Sequence, residues 1–315
     1  MNEYNKNANK LFSIIIPVYY NEDSLKFLFD KLIELEKKLL ADNISTELIF
    51  VDDGSQDNSL SELLKLKEKK SEIKIVKHTR NFGAVIATKT GKQFASGDCC
   101  SVIAADLQDP VDLLYDMVQY WKQGHKYVIA VRRTRKDPIG TKIFAFLYYK
   151  ILKALVVSNY PKGGFDLALI DKTLLPYFKN SGKNINPSLL GYWLGFQPKI
   201  IKYDRMEREF GKSRWTFKKK LNFFLDSILG FSVKPIRSIL TIGIVISFFS
   251  FLYFAFVLIN ALLGKMDVKG FATVVALISF FFGIVISMLG IIGEYIWRIF
   301  DELNKKPEYV IDEIY

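Results

Sequence analysis

The stretch Glu47-Leu48-Ile49-Phe50-Val51-Asp52-Asp53-Gly54-Ser55-Gln56-Asp57-Asn58-Ser59 decides the fold. Residues 48–51 form a short apolar run of β-forming side chains and read as a buried parallel strand. The run leads straight into Asp52-Asp53-Gly54-Ser55, where the chain must turn. In an open α/β sheet, ligands sit beyond the carboxyl ends of the strands. Two adjacent carboxylates there can accept from base N–H groups or sugar hydroxyls, which suits a nucleotide. Gly54 permits close backbone approach or a positive φ. Asp57 or Asn58 can cap a helix over 59–70. A strand, a D-G turn and a capped helix that bind nothing fit the same letters, so this stretch alone leaves both readings open.

Outward from this strand, strands and helices alternate. Residues 11–16 read as a first strand, which Pro17 ends. A helix over 24–40 follows, with Leu25, Leu28, Leu32 and Leu35 at helical spacing. After the helix over 59–70 come a strand over 73–77, a helix over 84–95 closed by Gly97, and a strand over 100–104. A further helix leads to a strand over 127–131 and the basic segment 132–136. The alternation implies right-handed βαβ units and a parallel sheet. The strands run into three polar loops: Pro17-Val18-Tyr19-Tyr20-Asn21-Glu22, Thr79-Arg80-Asn81-Phe82-Gly83 and Ala105-Asp106-Leu107-Gln108-Asp109-Pro110.

The 315 residues suffice for a catalytic domain and an appendage, and the apolar half of the composition is concentrated towards the carboxyl end. A net charge of +11 fits nucleic acid, an anionic membrane surface or a phosphorylated substrate. Cys99 and Cys100 are adjacent, which excludes a disulfide framework and fits a reducing compartment. The first apolar run is β-branched and broken by Pro17, so it reads as a strand and not as a signal peptide. His78 and His125 lack metal-ligand spacing and read as structural or surface residues.

Residues 238–264 and 270–293 contain no Asp, Glu, Lys, Arg or His. Each run exceeds the ~20 apolar residues that cross a hydrocarbon core of ~30 Å. They predict a transmembrane hairpin with a short loop over 265–269. Eleven basic residues lie from Lys199 to Arg237, and Arg298, Lys305 and Lys306 follow the second run. The positive-inside rule puts both flanks in the cytoplasm. Residues 139–157 and 218–229 are amphipathic and basic, and are candidates for lying in the membrane interface.

The motifs P-V-Y-Y-N-E (17–22), V-D-D-G-S-Q-D (51–57), R-N-F-G (80–83), A-D-L-Q-D-P (105–110), G-G-F-D (163–166) and R-x-x-R-x-x-G-K-S-R-W (205–215) occur in order, followed by the two apolar runs and G-E-Y-I-W-R-I-F-D-E (293–302). Together they resemble a family 2 glycosyltransferase of the polyisoprenyl-phosphate type, the group of GtrB-like enzymes and dolichol-phosphate mannose synthase. The resemblance covers almost the whole chain. It implies an α/β GT-A (Rossmann-like) catalytic domain with amphipathic interface helices and a carboxyl-terminal two-helix transmembrane hairpin. The expected domains are a cytoplasmic glycosyltransferase domain over 1–215, an amphipathic juxtamembrane segment over 216–235, two spans over 236–298 and a cytoplasmic tail over 299–315.

By the same resemblance, Pro17, Tyr19, Asn21, Glu22, Asp52, Asp53, Arg80 and Asn81 belong to the donor pocket, with Asp52 on the base and Asp53 close to the ribose. Asp106 and Gln108 would ligate Mg²⁺ or Mn²⁺, oxygen ligands suiting a hard cation. Asp106 and Asp166 are the catalytic candidates. Arg132, Arg205, Arg208, Lys212 and Arg214 are candidates for gripping the acceptor phosphate, and Arg133 is a further one. The chain departs from the family at one place: many relatives read D-A-D-L-Q where this chain reads Ala104-Ala105-Asp106-Leu107-Gln108.

The implied activity is inverting transfer of one sugar from a nucleotide-sugar, a UDP-sugar by preference, to a polyprenyl phosphate such as undecaprenyl phosphate. The enzyme would work at the cytoplasmic face of the cell membrane, as a homo-oligomer and without nucleic acid, and its product would serve cell-envelope glycan modification. The rival readings are transfer to another membrane lipid, and a membrane scaffold whose catalysis is impaired at Ala104. Residues 308–315 alternate like a strand and, on this reading, are available to pair with a neighbouring chain.

Overall fold

Strand β1 (Lys10–Val18) is central to a mixed sheet, and its register with β2 (Ile44–Asp52) brings Val18 level with Asp52. The structure is a computed structural model that describes residues 9–133, 139–161, 164–182, 184–206, 217–263 and 270–315. It divides into two units, Met1–Ser227 with Pro307–Tyr315, and Ile228–Lys306.

In the first unit the remaining strands are β3 (Lys74–His78), β4 (Cys99–Val102), β5 (Tyr127–Arg132), β6 (Leu167–Asp171), β7 (Lys199–Tyr203) and β8 (Ile311–Ile314). Their order is β7-β5-β6-β4-β1-β2-β3-β8. Helices α1 (Glu22–Ala41), α2 (Ser59–Lys69), α3 (Ala84–Phe94) and α4 (Asp112–Lys122) connect the first five strands. Both faces of the central strands are covered, which is why they read as unbroken apolar runs. Phe12, Ile14, Ile16, Leu48 and Phe50 share a core with Leu25, Leu28, Leu32 and Leu35 of α1. Ile15 and Val51 alternate to the opposite face, where α3 packs with Gly91 against both.

Three expectations are corrected. The sheet is not all parallel: β6 lies antiparallel between β4 and β5, and β8 runs antiparallel to β3. Neither β6 nor β7 was assigned from the sequence, and β6 separates two strands that simple alternation would make neighbours. Pro17 does not end β1 but sits inside it opposite Val51. The N–H it lacks falls on the β4 side, where pairing already stops at Ile15 and Val102. The tail forms a strand, but it pairs with β3 of its own chain and closes that sheet edge.

Helix α5 (Ile139–Leu155) buries Leu152 yet leaves Phe146 and Leu147 69% and 52% exposed. Short helices α6 (Leu175–Lys179) and α7 (Pro187–Trp193) follow β6. Helix α8 (Phe217–Leu229) meets α5 through Tyr148, whose hydroxyl is 3.1 Å from Ser227 Oγ and whose ring is 5.8 Å from that of Phe224. Leu221 of α8 is likewise an exposed apolar side chain.

The second unit holds α9 (Lys234–Leu262) and α10 (Phe271–Leu303). Both are long and apolar enough to cross a membrane, spanning more than ~40 Å at ~1.5 Å per residue. Their apolar side chains point outward, Phe248 and Phe280 among them. The Tyr295 hydroxyl donates to the Ser232 carbonyl at 3.1 Å, and Arg298 pairs with Glu294 at 3.0 Å.

Candidate active site

Two strand-end loops are stapled together at the carboxyl ends of β1 and β2. The Tyr20 and Asn21 amides donate to Ser55 Oγ (3.1 Å) and Ser59 Oγ (2.8 Å). Asn58 N–H donates to Glu22 Oε2 at 2.8 Å, and Asn21 Oδ1 accepts from Tyr19 N–H at 2.9 Å. The Asn21 side chain thus shapes its own loop, and the Glu22 side chain ties that loop to the one after β2. Tyr20 takes the strain of the turn at φ 57°.

Gly54 draws in a third loop. Its φ is +70°, and an added Cβ would stand 2.6 Å from the carbonyl carbon of Arg80. Only glycine allows the backbone of 80–81 to lie so close. Asp53 is buried and holds the same loop: its Oδ1 accepts from Phe82 N–H and its Oδ2 from Gly83 N–H, both at 2.8 Å. Asp53 Oδ1 also meets His78 Nδ1 at 2.9 Å, and His78 Nε2 meets Thr90 Oγ1 at 2.9 Å. The Arg80 guanidinium lies 4.6 Å from the Phe82 ring centroid, and Arg80 and Asn81 are exposed.

Asp52 is different. Its Oδ1 accepts from Ser55 N–H at 3.2 Å, but its Oδ2 is buried with no hydrogen-bond partner among the described residues. Burial pushes its carboxyl above the usual range, with the Asp57 and Asp53 charges adding to the shift against the Ser55 hydrogen bonds. A buried acceptor left open beside three converging loops is suited to an incoming N–H donor.

Beyond β4, Ser24 Oγ donates to the Ala105 carbonyl at 2.7 Å and pins the next loop to α1. Asp106 Oδ1 accepts from Gln108 N–H at 3.3 Å, and Leu107 between them has φ 57°. A bulky residue in that region is held by its surroundings, and such strain concentrates at working sites. Among the described residues no group of three or more His, Cys, Asp or Glu could hold a metal by itself. One carboxylate and one amide oxygen nevertheless match the few protein ligands that Mg²⁺ takes when substrate phosphates complete its shell. Asp106 and Gln108 fit a divalent ion on those terms.

The fourth element is a charge cluster built around buried Asp109 and Tyr203. Asp166 precedes β6 and is gripped by both Arg132 Nε, at 2.5 Å from Oδ2, and Arg132 Nη2 on Oδ1. The Tyr203 hydroxyl, at the end of β7, lies 2.9 Å from Asp166 Oδ2 and 2.5 Å from Asp109 Oδ1. Arg205 Nε stands 3.4 Å from Asp109 Oδ1 and makes no hydrogen bond among the described residues. Burial would raise the Asp166 carboxyl, but the hydrogen bonds and charge of Arg132 outweigh it and hold it below its usual range. Asp109 goes the other way, raised chiefly by burial. Gly164 at φ +74° lets the chain pass against the Tyr149 hydroxyl of α5.

The structure gathers Pro17, Tyr19, Asn21, Glu22, Asp52, Asp53, Arg80 and Asn81 around the ends of β1 and β2, and Arg132, Asp166 and Arg205 around the end of β5. Arg208, Lys212, Arg214 and Gly163 lie outside the described residues. Sequence reasoning missed Asp109 and Tyr203. Asp109 lies in the loop before α4, whose N-cap position is Val111. Tyr203 sits in an unassigned strand, with no motif to mark it. His78 read as structural or surface, and it is fully buried.

The model of the family "Glycosyl transferase family 2" matches residues 13–175. The glycosyltransferase sll0501 of Synechocystis sp. is 33% identical over 305 residues, 96% of this chain and 95% of that one. The bactoprenol glucosyl transferase of Shigella phage SfII is 29% identical over 301 residues, 95% of this chain and 96% of that one. Among solved structures, the mannosyltransferase PcManGT from Pyrobaculum calidifontis in complex with GDP-Man and Mn²⁺ gives a TM-score of 0.46 at 18% identity, over 62% of this chain and a little over half, 56%, of that one. Mannosyl-3-phosphoglycerate synthase from Rubrobacter xylanophilus gives 0.49 at 13% identity, over 74% and 75%.

Proposed function

The chain belongs to glycosyl transferase family 2 and carries a GT-A-like mixed sheet, and from that premise we propose that it transfers one sugar from a UDP-sugar to a polyprenyl phosphate of the undecaprenyl phosphate kind. Transfer inverts the anomeric carbon. It takes place at the cytoplasmic face of a membrane, and the lipid-phospho-sugar serves cell-envelope glycan modification. The observation that carries the donor half is the open, buried Oδ2 of Asp52. Relatives named bactoprenol glucosyl transferase along nearly their whole length support the acceptor half.

Asp52 accepts from the base, while the loop over 79–83, held by Asp53, borders the nucleoside. Asp106 and Gln108 would hold a divalent cation, which when bound neutralises charge on the departing diphosphate. A phosphate monoester is mostly a dianion at neutral pH. One of its oxygens forms the new bond to the anomeric carbon as the bond to the nucleoside diphosphate breaks. The site has to position that anion and screen its charge. Arg205, whose Nε makes no hydrogen bond among the described residues, and the Arg132–Asp166 pair face this task, and Arg208, Lys212 and Arg214 are assigned to the same phosphate.

Membranes containing the protein, given radiolabelled UDP-sugar and polyprenyl phosphate, test the proposal. Label should appear in a lipid that mild acid cleaves. Label in a neutral lipid, or none with any nucleotide-sugar, defeats it.

A further inference from the structure

The loop over 79–83 is held from outside the sheet by the carboxyl-terminal tail. Strand β8 pairs with β3, which leads into that loop, and the Val310 carbonyl accepts from Thr79 N–H at 3.1 Å, at the first residue of the loop. Tyr309 stacks on His78 with ring centroids 5.5 Å apart and planes 25° from parallel. His78 in turn contacts the Asp53 carboxylate that holds the Phe82 and Gly83 amides. On the far side of the loop, Glu308 pairs with Lys89 of α3 at 2.7 Å, both side chains largely buried. The tail therefore grips the strand before the loop, the helix after it, and the histidine beneath it.

Covering a sheet edge would need only the ladder between β8 and β3. The contacts at 308–310 run past the end of that ladder and converge on the loop that borders Asp52 and Gly54. We propose that residues 308–310 clamp the donor loop, and that Tyr309 is a positioning residue for the nucleoside diphosphate, acting through His78 and Asp53. This rests on the donor reading given above. The ring of Tyr309 keeps His78 against Asp53, and Asp53 fixes the amides of 82 and 83. When the ring is removed, the loop loses its preorganised form and the nucleotide must order it on binding.

Titration of the full-length protein with UDP and GDP in the presence of Mg²⁺ tests the clamp, alongside steady-state kinetics. Removal of one stacked aromatic contact predicts that Tyr309→Ala weakens nucleotide affinity by roughly threefold to tenfold. Donor KM should rise by the same factor while kcat holds. Tyr309→Phe keeps the ring and should restore wild-type affinity. Asp312→Asn removes a pair between β8 and Lys77 of β3, outside the contacts at 308–310, and should leave affinity within about twofold of wild type. Glu308→Gln provides a second reading should Tyr309→Ala not fold, and should weaken binding in the same direction. Wild-type affinity in both Tyr309→Ala and Glu308→Gln overturns the clamp and leaves the donor reading standing. Equal loss in Asp312→Asn overturns it too, as a merely structural tail would give that. Failure of the wild-type protein to bind either nucleotide overturns both proposals.

Discussion

Asp52→Asn separates binding from stability at one atom. The wild-type Oδ2 is buried and unpartnered, so in the unliganded protein it is a cost. Asparagine keeps an oxygen for Ser55 N–H and replaces the anionic oxygen by a neutral amide. A hydrogen bond from a base N–H to a charged acceptor is worth about 1.5–3 kcal/mol, so the variant should bind UDP roughly 10- to 150-fold more weakly. The unliganded protein should meanwhile be as stable as wild type or more so. The sign with pH follows from the raised carboxyl. A raised pKa means that the folded state takes up this proton more readily than the unfolded chain. The cost of the charge is fully present above the folded-state pKa and disappears as pH falls below the unfolded value of about 3.9. Any stability gain of the variant therefore belongs to neutral pH and fades in acid. Calorimetric titration with UDP and thermal unfolding at two pH values measure both halves. UDP binding within twofold of wild type refutes the assignment of Asp52 to the base, and a large loss of stability shows that Oδ2 had a partner.

Gly54→Ala puts a Cβ 2.6 Å from the Arg80 backbone at a φ of +70°, at about 1–2 kcal/mol for the left-handed conformation and ~1–3 kcal/mol for overpacking. A lower thermal midpoint and a higher donor KM are expected, and unchanged values would mean that the two loops are not in contact. Asp166→Asn breaks the grip of Arg132 and should nearly abolish turnover with nucleotide affinity intact; in the wild type the rate should climb through about pH 6 with the second ionisation of the acceptor phosphate. Turnover left unchanged in the variant removes Asp166 from the mechanism. Ala104→Asp supplies the first acid of a D-x-D and should lower the metal concentration that gives half-maximal activity, and titration with Mn²⁺ reads this directly.

The β1–α1–β2 region was legible because its strands are covered on both faces and its helices are not, so period and composition both spoke. The strand ends were legible as motifs, since Asp52, Asp53, Arg80 and Asp106 sit where an open sheet places ligands. What stayed hidden was set by tertiary pairing. Leu167–Asp171 is only five residues long, and nothing local says that it inserts antiparallel between β4 and β5. Tyr203 becomes part of the site only because β7 lies beside β5 in parallel register, with Arg132 opposite Tyr203. The alternation of 308–315 predicted a strand, but the identity of its partner is a matter of register and reach that alternation does not encode.

The charge cluster bears on what kind of acceptor the site can use. A hydroxyl nucleophile must lose its proton during attack, which calls for a base with a pKa near the working pH. Asp166 is moved away from that range, because Arg132 holds its carboxyl below the usual value. Its geometry points the same way, since both carboxylate oxygens are occupied by the guanidinium and Oδ2 also meets Tyr203. A carboxylate so engaged is a poor proton acceptor and a firm anchor for Arg132. A phosphate dianion needs no base, and benefits from a guanidinium fixed in one place and from an Arg205 Nε with no hydrogen bond among the described residues. At Asp166, therefore, the electrostatics disfavour a base for a hydroxyl acceptor and suit the anchoring of a guanidinium.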